Sequence, residues 1–127
     1  MILAIVGTRL FGSEKGLVYA RLVIEYEVTD FMHWTGFVTG DPQYSNSHGV
    51  DALVKQECNY QGRECEVLAP VNRRWEPDGF KARNIAIAEA CDELLCIRNP
   101  ESSSYGSGWT ANYAETLGKK VTRVEIS

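Results

Sequence analysis

The stretch Ile2-Leu3-Ala4-Ile5-Val6-Gly7-Thr8-Arg9 decides the fold, because five apolar residues run directly into a glycine, a hydroxyl residue and an arginine. An apolar run without polar alternation is typical of a parallel strand that is covered by helices on both faces. The glycine marks a turn at the end of that strand. The stretch therefore predicts a central strand, with Gly7, Thr8 and Arg9 at its carboxyl end.

The same alternation of apolar runs and helical patterns continues along the chain. Helices are predicted over residues 13–29, 50–60, 82–91 and 108–117, and further strands over 36–39, 65–68, 93–97 and 119–126. This interleaving predicts an α/β fold, a doubly wound sheet of about five mainly parallel strands with helices on both faces. The last strand alternates in polarity, so we expect it at a sheet edge.

Composition limits the function classes. A chain of 127 residues predicts one domain spanning 1–127, and a net charge of −4 argues against nucleic-acid binding, which needs a basic face. No apolar run approaches the ~18 residues of a membrane span, and the N-terminal run is too short for a signal peptide, so we expect a cytoplasmic protein. The four cysteines lack metal-site spacing and are interpreted as reduced thiols. Cys91 and Cys96, beside the apolar pair Leu94-Leu95, are predicted to pack in the core rather than to serve a metal or redox role. We expect no metal and no cofactor.

The predicted strand-to-helix loops carry the polar chemistry, and ligands of doubly wound sheets bind at this edge. Arg9 could hold a phosphate through two parallel hydrogen bonds or be an ordinary solvated arginine. Asp51 either caps the helix that follows Gly49 or receives ribose hydroxyls. Arg83 and Asn84 begin the third helix and either reach the cleft or form a structural salt bridge.

The fourth loop, Ser104-Tyr105-Gly106-Ser107-Gly108-Trp109-Thr110, precedes the last helix. Free N–H groups at a helix N-terminus attract anions, and glycine permits close approach of a phosphate, so this stretch is either a phosphate site or a flexible surface loop. Trp75 and Trp109 either stack a base or pack, whereas Trp34 is predicted in the core. His48 is either a polar loop residue or an acid or base, and the pair Arg73-Arg74 is interpreted as solvated.

In order, these motifs resemble those of the SLOG superfamily, the Rossmann-like group that contains the Lonely Guy phosphoribohydrolases and DprA. The similar segments are Gly7-Thr8-Arg9-Leu10-Phe11, Gly40 with Gly49-Val50-Asp51, Arg83-Asn84, Gly106-Ser107, and Ala114 through Val121. The resemblance covers nearly the whole chain and implies a single nucleotide-binding domain. It also implies a homodimer or higher homo-oligomer, since members commonly dimerise. The ligand-binding residues it implies, together with the loop analysis, are Gly7, Thr8, Arg9, Gly40, Gly49, Asp51, Arg83, Asn84, Gly106, Ser107, Gly108 and Thr110.

Thr110 departs from the family pattern. Lonely Guy enzymes have a glutamate here that is implicated in cleaving an N-glycosidic bond, and threonine cannot supply a carboxylate to an oxocarbenium-like centre. The resemblance therefore favours binding over hydrolysis, and the catalytic residues are unknown.

Three functions stay open. The first is binding, for sensing or sequestration, of a nucleotide or nucleotide-derived small molecule with its phosphate at 104–110. The second is an N-glycosidic hydrolase or transferase that acts on nucleosides or nucleoside monophosphates, with Asp41, Asp51, Glu76 or Asp78 as a replacement carboxylate. The third is a protein-interaction subunit or a protein that sequesters a signalling nucleotide, as a phage could use against its host.

Overall fold

The computed structural model describes residues 1–44, 49–102 and 106–127. Its five strands are β1 (Ile2–Gly7), β2 (Gly36–Gly40), β3 (Cys65–Leu68), β4 (Glu93–Arg98) and β5 (Lys120–Glu125). They form one sheet in the order β3-β2-β1-β4-β5, and every neighbouring pair is parallel. The predicted doubly wound sheet is therefore confirmed, and the alternating last strand does lie at an edge.

Four helices connect the strands: α1 (Glu14–Val28), α2 (Val50–Gln61), α3 (Phe80–Ala90) and α4 (Gly106–Thr116). A short 3-10 turn, Pro42–Tyr44, follows β2. Ser13 caps α1, since its Oγ accepts a hydrogen bond from the Gly16 amide at 3.0 Å, and Gly62 ends α2 in the left-handed conformation.

Side chains of β1 divide between two cores because successive residues of a strand point to opposite faces. Leu3 and Ile5 pack with buried residues of α1 and α2, whereas Ala4 and Val6 pack with those of α3 and α4. Trp34 is buried in the first core, as predicted. The predicted packing of Cys91 and Cys96 is also confirmed, since both are buried in the second core.

Two helices begin earlier than the sequence predicts. Helix α3 starts at Phe80 rather than residue 82, because the Phe80 amide donates to the Arg74 carbonyl at 2.8 Å and closes the preceding loop. A Cβ on Gly79 would lie 1.7 Å from that same carbonyl oxygen, so this closure requires glycine. Helix α4 starts at Gly106, which makes Gly106, Ser107 and Gly108 its first turn rather than part of a loop.

The strand order places a topological switch between β1 and β4. The chain moves outward from β1 to β2 and β3, and then returns to the other side of β1 to form β4 and β5. At such a switch the connections leave in opposite directions, which opens a crevice at the carboxyl ends of the strands. Within the described ranges, no helix combines the length and apolar character that crossing a membrane requires.

Candidate functional site

A cavity of about 360 Å³ lies at the carboxyl ends of the strands. We call it the strand-end cavity. Residues from β1 and its loop, the end of β2, the α2 N-terminus, the loop before α3, α3 itself and the first turn of α4 contribute to it. Its described lining residues are Val6, Gly7, Arg9, Gly40, Tyr44, Asp51, Arg73, Trp75, Phe80, Arg83, Asn84, Ile87, Gly106, Ser107 and Thr110.

Most of the ligand-binding residues that are predicted from the sequence lie together in this cavity. Those that line it are Gly7, Arg9, Gly40, Asp51, Arg83, Asn84, Gly106, Ser107 and Thr110. Thr8, Gly49 and Gly108 are not among its described lining residues. The loops therefore converge as predicted, although three nominated positions have other roles.

Those three positions support neighbouring structure. Thr8 is buried, and its hydroxyl donates to the Leu10 carbonyl at 3.0 Å. Gly49 is the N-cap residue of α2. Gly108 faces Arg98, because a Cβ there would lie 3.1 Å from a terminal guanidinium nitrogen of Arg98. Each residue shapes the edge of the site from outside the cavity.

Gly7 lines the cavity and is also needed for close packing. A Cβ at this position would lie 2.2 Å from the Ile97 carbonyl oxygen and 2.4 Å from a Val50 methyl carbon. Contacts this short cannot be accommodated without moving β4 or the start of α2. Gly7 thus lets the first turn of α2 approach the switch between β1 and β4.

Gly40 stands between two opposite charges. A Cβ on Gly40 would lie 2.5 Å from a terminal nitrogen of Arg83 and 2.6 Å from Oδ2 of Asp51. Arg83 and Asp51 are nevertheless absent from the ion pairs within 4.0 Å that join described residues. Both partly buried charges therefore flank Gly40 and face the cavity without direct contact.

Asp51 does not cap α2, contrary to one of the two predicted roles. It stands in the first turn of the helix, and its Oδ1 accepts a hydrogen bond from the Thr39 hydroxyl at 3.0 Å. The same hydroxyl oxygen lies 2.7 Å from the Ile5 carbonyl oxygen, so its one proton is shared between the two acceptors. Thr39 is completely buried, so it holds the carboxylate toward the cavity from beneath.

Burial is the largest influence on the pKa of both Asp51 and Arg83. Desolvation raises the pKa of Asp51 from its usual 3.8 to about 6, although Arg83, the Thr39 hydrogen bond and Arg9 act in the opposite direction. Desolvation also lowers the pKa of Arg83, although the negative charge of Asp51 acts to raise it. A carboxyl group that lies in a cavity, and whose ionised form is disfavoured by burial, is typical of functional sites.

The Arg83 guanidinium is fixed by polar and aromatic contacts. Its Nε donates to Oδ1 of Asn84 at 2.9 Å, and a terminal nitrogen donates to the Leu68 carbonyl at 3.2 Å. Its central carbon also lies 5.3 Å from the centre of the Phe80 ring. These contacts hold the cation at the cavity wall without neutralising it.

The first turn of α4 lies beside this cation. The amide nitrogen of Asn84 is 3.8 Å from where a Cβ on Gly106 would be, so Asn84 links Arg83 to the start of α4. Thr110 is buried, and its hydroxyl donates to the Gly106 carbonyl at 2.8 Å. Thr110 therefore stabilises the first turn of α4, and the first turn of a helix is a part of the backbone whose N–H groups can bind an anion.

Aromatic and arginine side chains form a wall on the other side of the cavity. Tyr44 and Phe80 meet edge to face with ring centres 6.4 Å apart. The guanidinium carbon of Arg73 lies 4.6 Å from the centre of the Tyr44 ring, and that of Arg9 lies 5.6 Å from the centre of the Phe80 ring. Arg73 is exposed, as the sequence predicts, and it also lines the cavity. The signal for this wall was the presence of aromatic residues within two polar loops.

Trp75 and Trp109 are in edge-to-face contact, with ring centres 5.2 Å apart. The two rings differ in what else surrounds them. Trp75 lines the cavity, whereas Trp109 stacks on Tyr113 with ring centres 5.4 Å apart. Only Trp75 of this pair is placed to meet a ligand. The predicted roles of His48, Ser104 and Tyr105 fall outside the described residues.

Within the part of the chain that the structure describes, no group of three or more His, Cys, Asp or Glu side chains is arranged to hold a metal ion.

Neither a comparison with protein-family models nor one with curated protein sequences finds a match to the chain. Membership of the SLOG superfamily therefore stays a prediction from the motifs. The geometry of the strand-end cavity is what supports a function.

Replacing Asp51 by asparagine should stabilise the protein in a pH-dependent way. Because the folded-state pKa is raised, the contribution of Asp51 to stability is complete below pH 4 and is lost as pH rises through about 6. Asparagine remains neutral throughout. The gain from Asp51→Asn in the free energy of unfolding should be near zero at pH 4 and reach about 1–3 kcal/mol at pH 7.

Urea denaturation followed by circular dichroism at pH 4, 5, 6 and 7 measures this gain. Asp78→Asn is the matched control, since Asp78 is an exposed loop carboxylate whose positive φ of 56° suits asparagine. It should change the free energy of unfolding by less than about 0.5 kcal/mol at every pH. A gain from Asp51→Asn that stays flat with pH would contradict the raised pKa.

Proposed function

We propose that the protein binds a nucleotide or nucleotide-derived small molecule in the strand-end cavity, for sensing or sequestration. The observation that carries the proposal is that Asp51 and Arg83 stand on either side of Gly40 in one cavity and, among the described residues, form no ion pair within 4.0 Å. Burying charges without direct pairing costs stability, and a bound ligand that contacts both would offset that cost.

The charge of the cavity favours an anionic ligand. Arg9, Arg73 and Arg83 line it together with one carboxylate, Asp51, so the described lining carries a charge of about +2, whereas the chain carries −4. Guanidinium groups can bind phosphate through two parallel hydrogen bonds. A ligand with at least two negative charges would match this lining.

Each part of a nucleotide has a counterpart in the lining. The N–H groups of the first turn of α4, at Gly106 and Ser107, together with Arg83, would hold phosphate. The Asp51 carboxylate would accept hydrogen bonds from ribose hydroxyls. Trp75 and the ring pair of Tyr44 and Phe80 offer aromatic faces to a base. The cavity volume of about 360 Å³ lies in the range of small-molecule sites.

Isothermal titration calorimetry with ADP, ADP-ribose, AMP, cyclic nucleotides and adenosine tests the proposal. At least one phosphorylated ligand should bind saturably and at least about 10-fold more tightly than adenosine, because charge-assisted hydrogen bonds contribute about 1.5–3 kcal/mol each. Arg83→Gln should weaken that binding by about 10- to 100-fold for the same reason.

The matched control is Arg74→Gln, in the loop before α3. Arg74 is exposed and is not among the described lining residues, so its loss should leave the dissociation constant within about twofold. No saturable binding of any phosphorylated ligand, or binding that Arg83→Gln leaves unaltered, would overturn the proposal.

A second candidate is hydrolysis or transfer at an N-glycosidic bond, and the position of Asp51 favours it. Of the four carboxylates considered as replacements for the family glutamate, Asp51 is among the described lining residues, and Asp41, Glu76 and Asp78 are not. A carboxylic acid whose pKa is about 6 can exchange protons near neutral pH. Such a group could assist the departure of a base or receive an oxocarbenium-like centre.

This candidate predicts release of free base when the protein is incubated with nucleoside monophosphates and the products are separated by chromatography. Asp51→Asn should reduce the rate by at least about 100-fold, since asparagine can neither donate a carboxyl proton nor carry the negative charge. Asp78→Asn again serves as the control. Absence of turnover at high protein concentration would reject catalysis and leave binding as the function.

A further inference from the structure

Three aromatic rings lie in a row between the second core and the strand-end cavity. Tyr113 packs against the second core, and the ring of Trp109, one turn earlier on α4, is stacked on it with an interplanar angle of 4°. Trp109 in turn meets Trp75 at an interplanar angle of 88°, and Trp75 lines the cavity. Trp109, the middle ring of the row, therefore contacts both of the others.

The backbone of Trp75 is held in place independently of its ring. Its carbonyl accepts a hydrogen bond from the Lys81 amide at 2.9 Å, and the preceding carbonyl, that of Arg74, accepts one from the Phe80 amide at 2.8 Å. The next side chain, Glu76, forms an ion pair with Lys81 at 3.2 Å. These contacts fix where the Trp75 side chain begins, whereas its side-chain torsions depend on what the ring touches.

Trp109 supplies a contact that orients the Trp75 ring. An edge-to-face pair is a favourable arrangement of aromatic rings, and it leaves at least one face of Trp75 uncovered by Trp109. The stacked contact with Tyr113, at 5.4 Å between ring centres, orients Trp109 itself. Side chains four residues apart on a helix are neighbours on its surface, so this stack is built into α4. The orientation of Trp75 is thus set from α4.

We infer that Trp109 is a positioning residue for base recognition: it stays outside the ligand's reach and holds the Trp75 ring ready to stack on the base of a bound nucleotide. This inference rests on the proposed function. A side chain that is already ordered loses less conformational entropy when a ligand binds, so the orientation of Trp75 should tighten binding. Because α4 begins at Gly106, whose turn would hold phosphate, one helix would fix the positions of both phosphate and base.

Calorimetric titration of tryptophan variants tests this role, using whichever of ADP, ADP-ribose, AMP and the cyclic nucleotides binds the wild type most tightly. Trp75→Leu should raise the dissociation constant by about 10- to 100-fold, because it removes a ring that stacks on the base. Trp109→Leu should raise it by about 3- to 10-fold, because it removes only the orientation of that ring. Trp109→Phe keeps an aromatic ring at this position and should stay within about twofold of the wild type.

The double variant Trp75→Leu/Trp109→Leu separates positioning from a general effect on the fold. If Trp109 acts through Trp75, the double variant should bind within about twofold of Trp75→Leu alone. Two coupled indole rings also give an exciton couplet in the far-ultraviolet circular dichroism spectrum, and either single leucine substitution should abolish it while the helical signal is retained. Tyr19→Leu, at an exposed position of α1 outside the described cavity lining, is the matched control and should leave both the couplet and the dissociation constant unchanged.

Three outcomes would overturn the inference while leaving the proposed function in place, since the wild type binds a nucleotide in each. They are a dissociation constant that Trp109→Leu leaves unaltered, one that Trp75→Leu leaves unaltered, and a double variant whose loss of affinity is the product of the two single losses. Absence of nucleotide binding by the wild type would instead reject the proposed function, and this inference with it.

Discussion

The separation of Asp51 from Arg83 by the bare Cα of Gly40 is the constraint on which the site depends. An ion pair in contact would satisfy both groups and leave little for a ligand to gain. Here burial acts on each charge while direct contact is missing, so the carboxyl pKa is raised and the guanidinium pKa is lowered. The two charges are held toward the cavity by Thr39 on one side and by Asn84 and the Leu68 carbonyl on the other.

The fold creates this constraint through close approach of its elements. Gly7 allows the start of α2 to reach the switch between β1 and β4, which brings Asp51 over the end of β2. Gly79 permits the loop before α3 to close on Arg74, and Arg83 follows in the first turn of that helix. Three glycines thus determine where two charged side chains stand, and a Cβ at any of them would be too close to its neighbours.

The fold was largely predictable from the sequence, because a doubly wound sheet has a strong periodic signal in its apolar runs and places its loops at one edge. That placement also identified Arg9, Asp51 and Arg83 as neighbours. The sequence could not show that Asp51 bonds to Thr39 rather than capping α2, since both roles require the same residue at the start of a helix. Nor could it show the contact of Arg73 with Tyr44, which depends on how two separate loops fold over the cavity.

The pKa of Asp51 tests the central claim most directly. Carbon-13 NMR titration of the Asp51 side-chain carboxyl, assigned by comparison with Asp51→Asn, measures it in the intact protein. A pKa of about 6 is expected, because burial outweighs the neighbouring positive charges. A pKa at or below the usual 3.8 would mean that Arg83 neutralises the carboxylate, and it would contradict a site built on two opposite charges that do not contact each other.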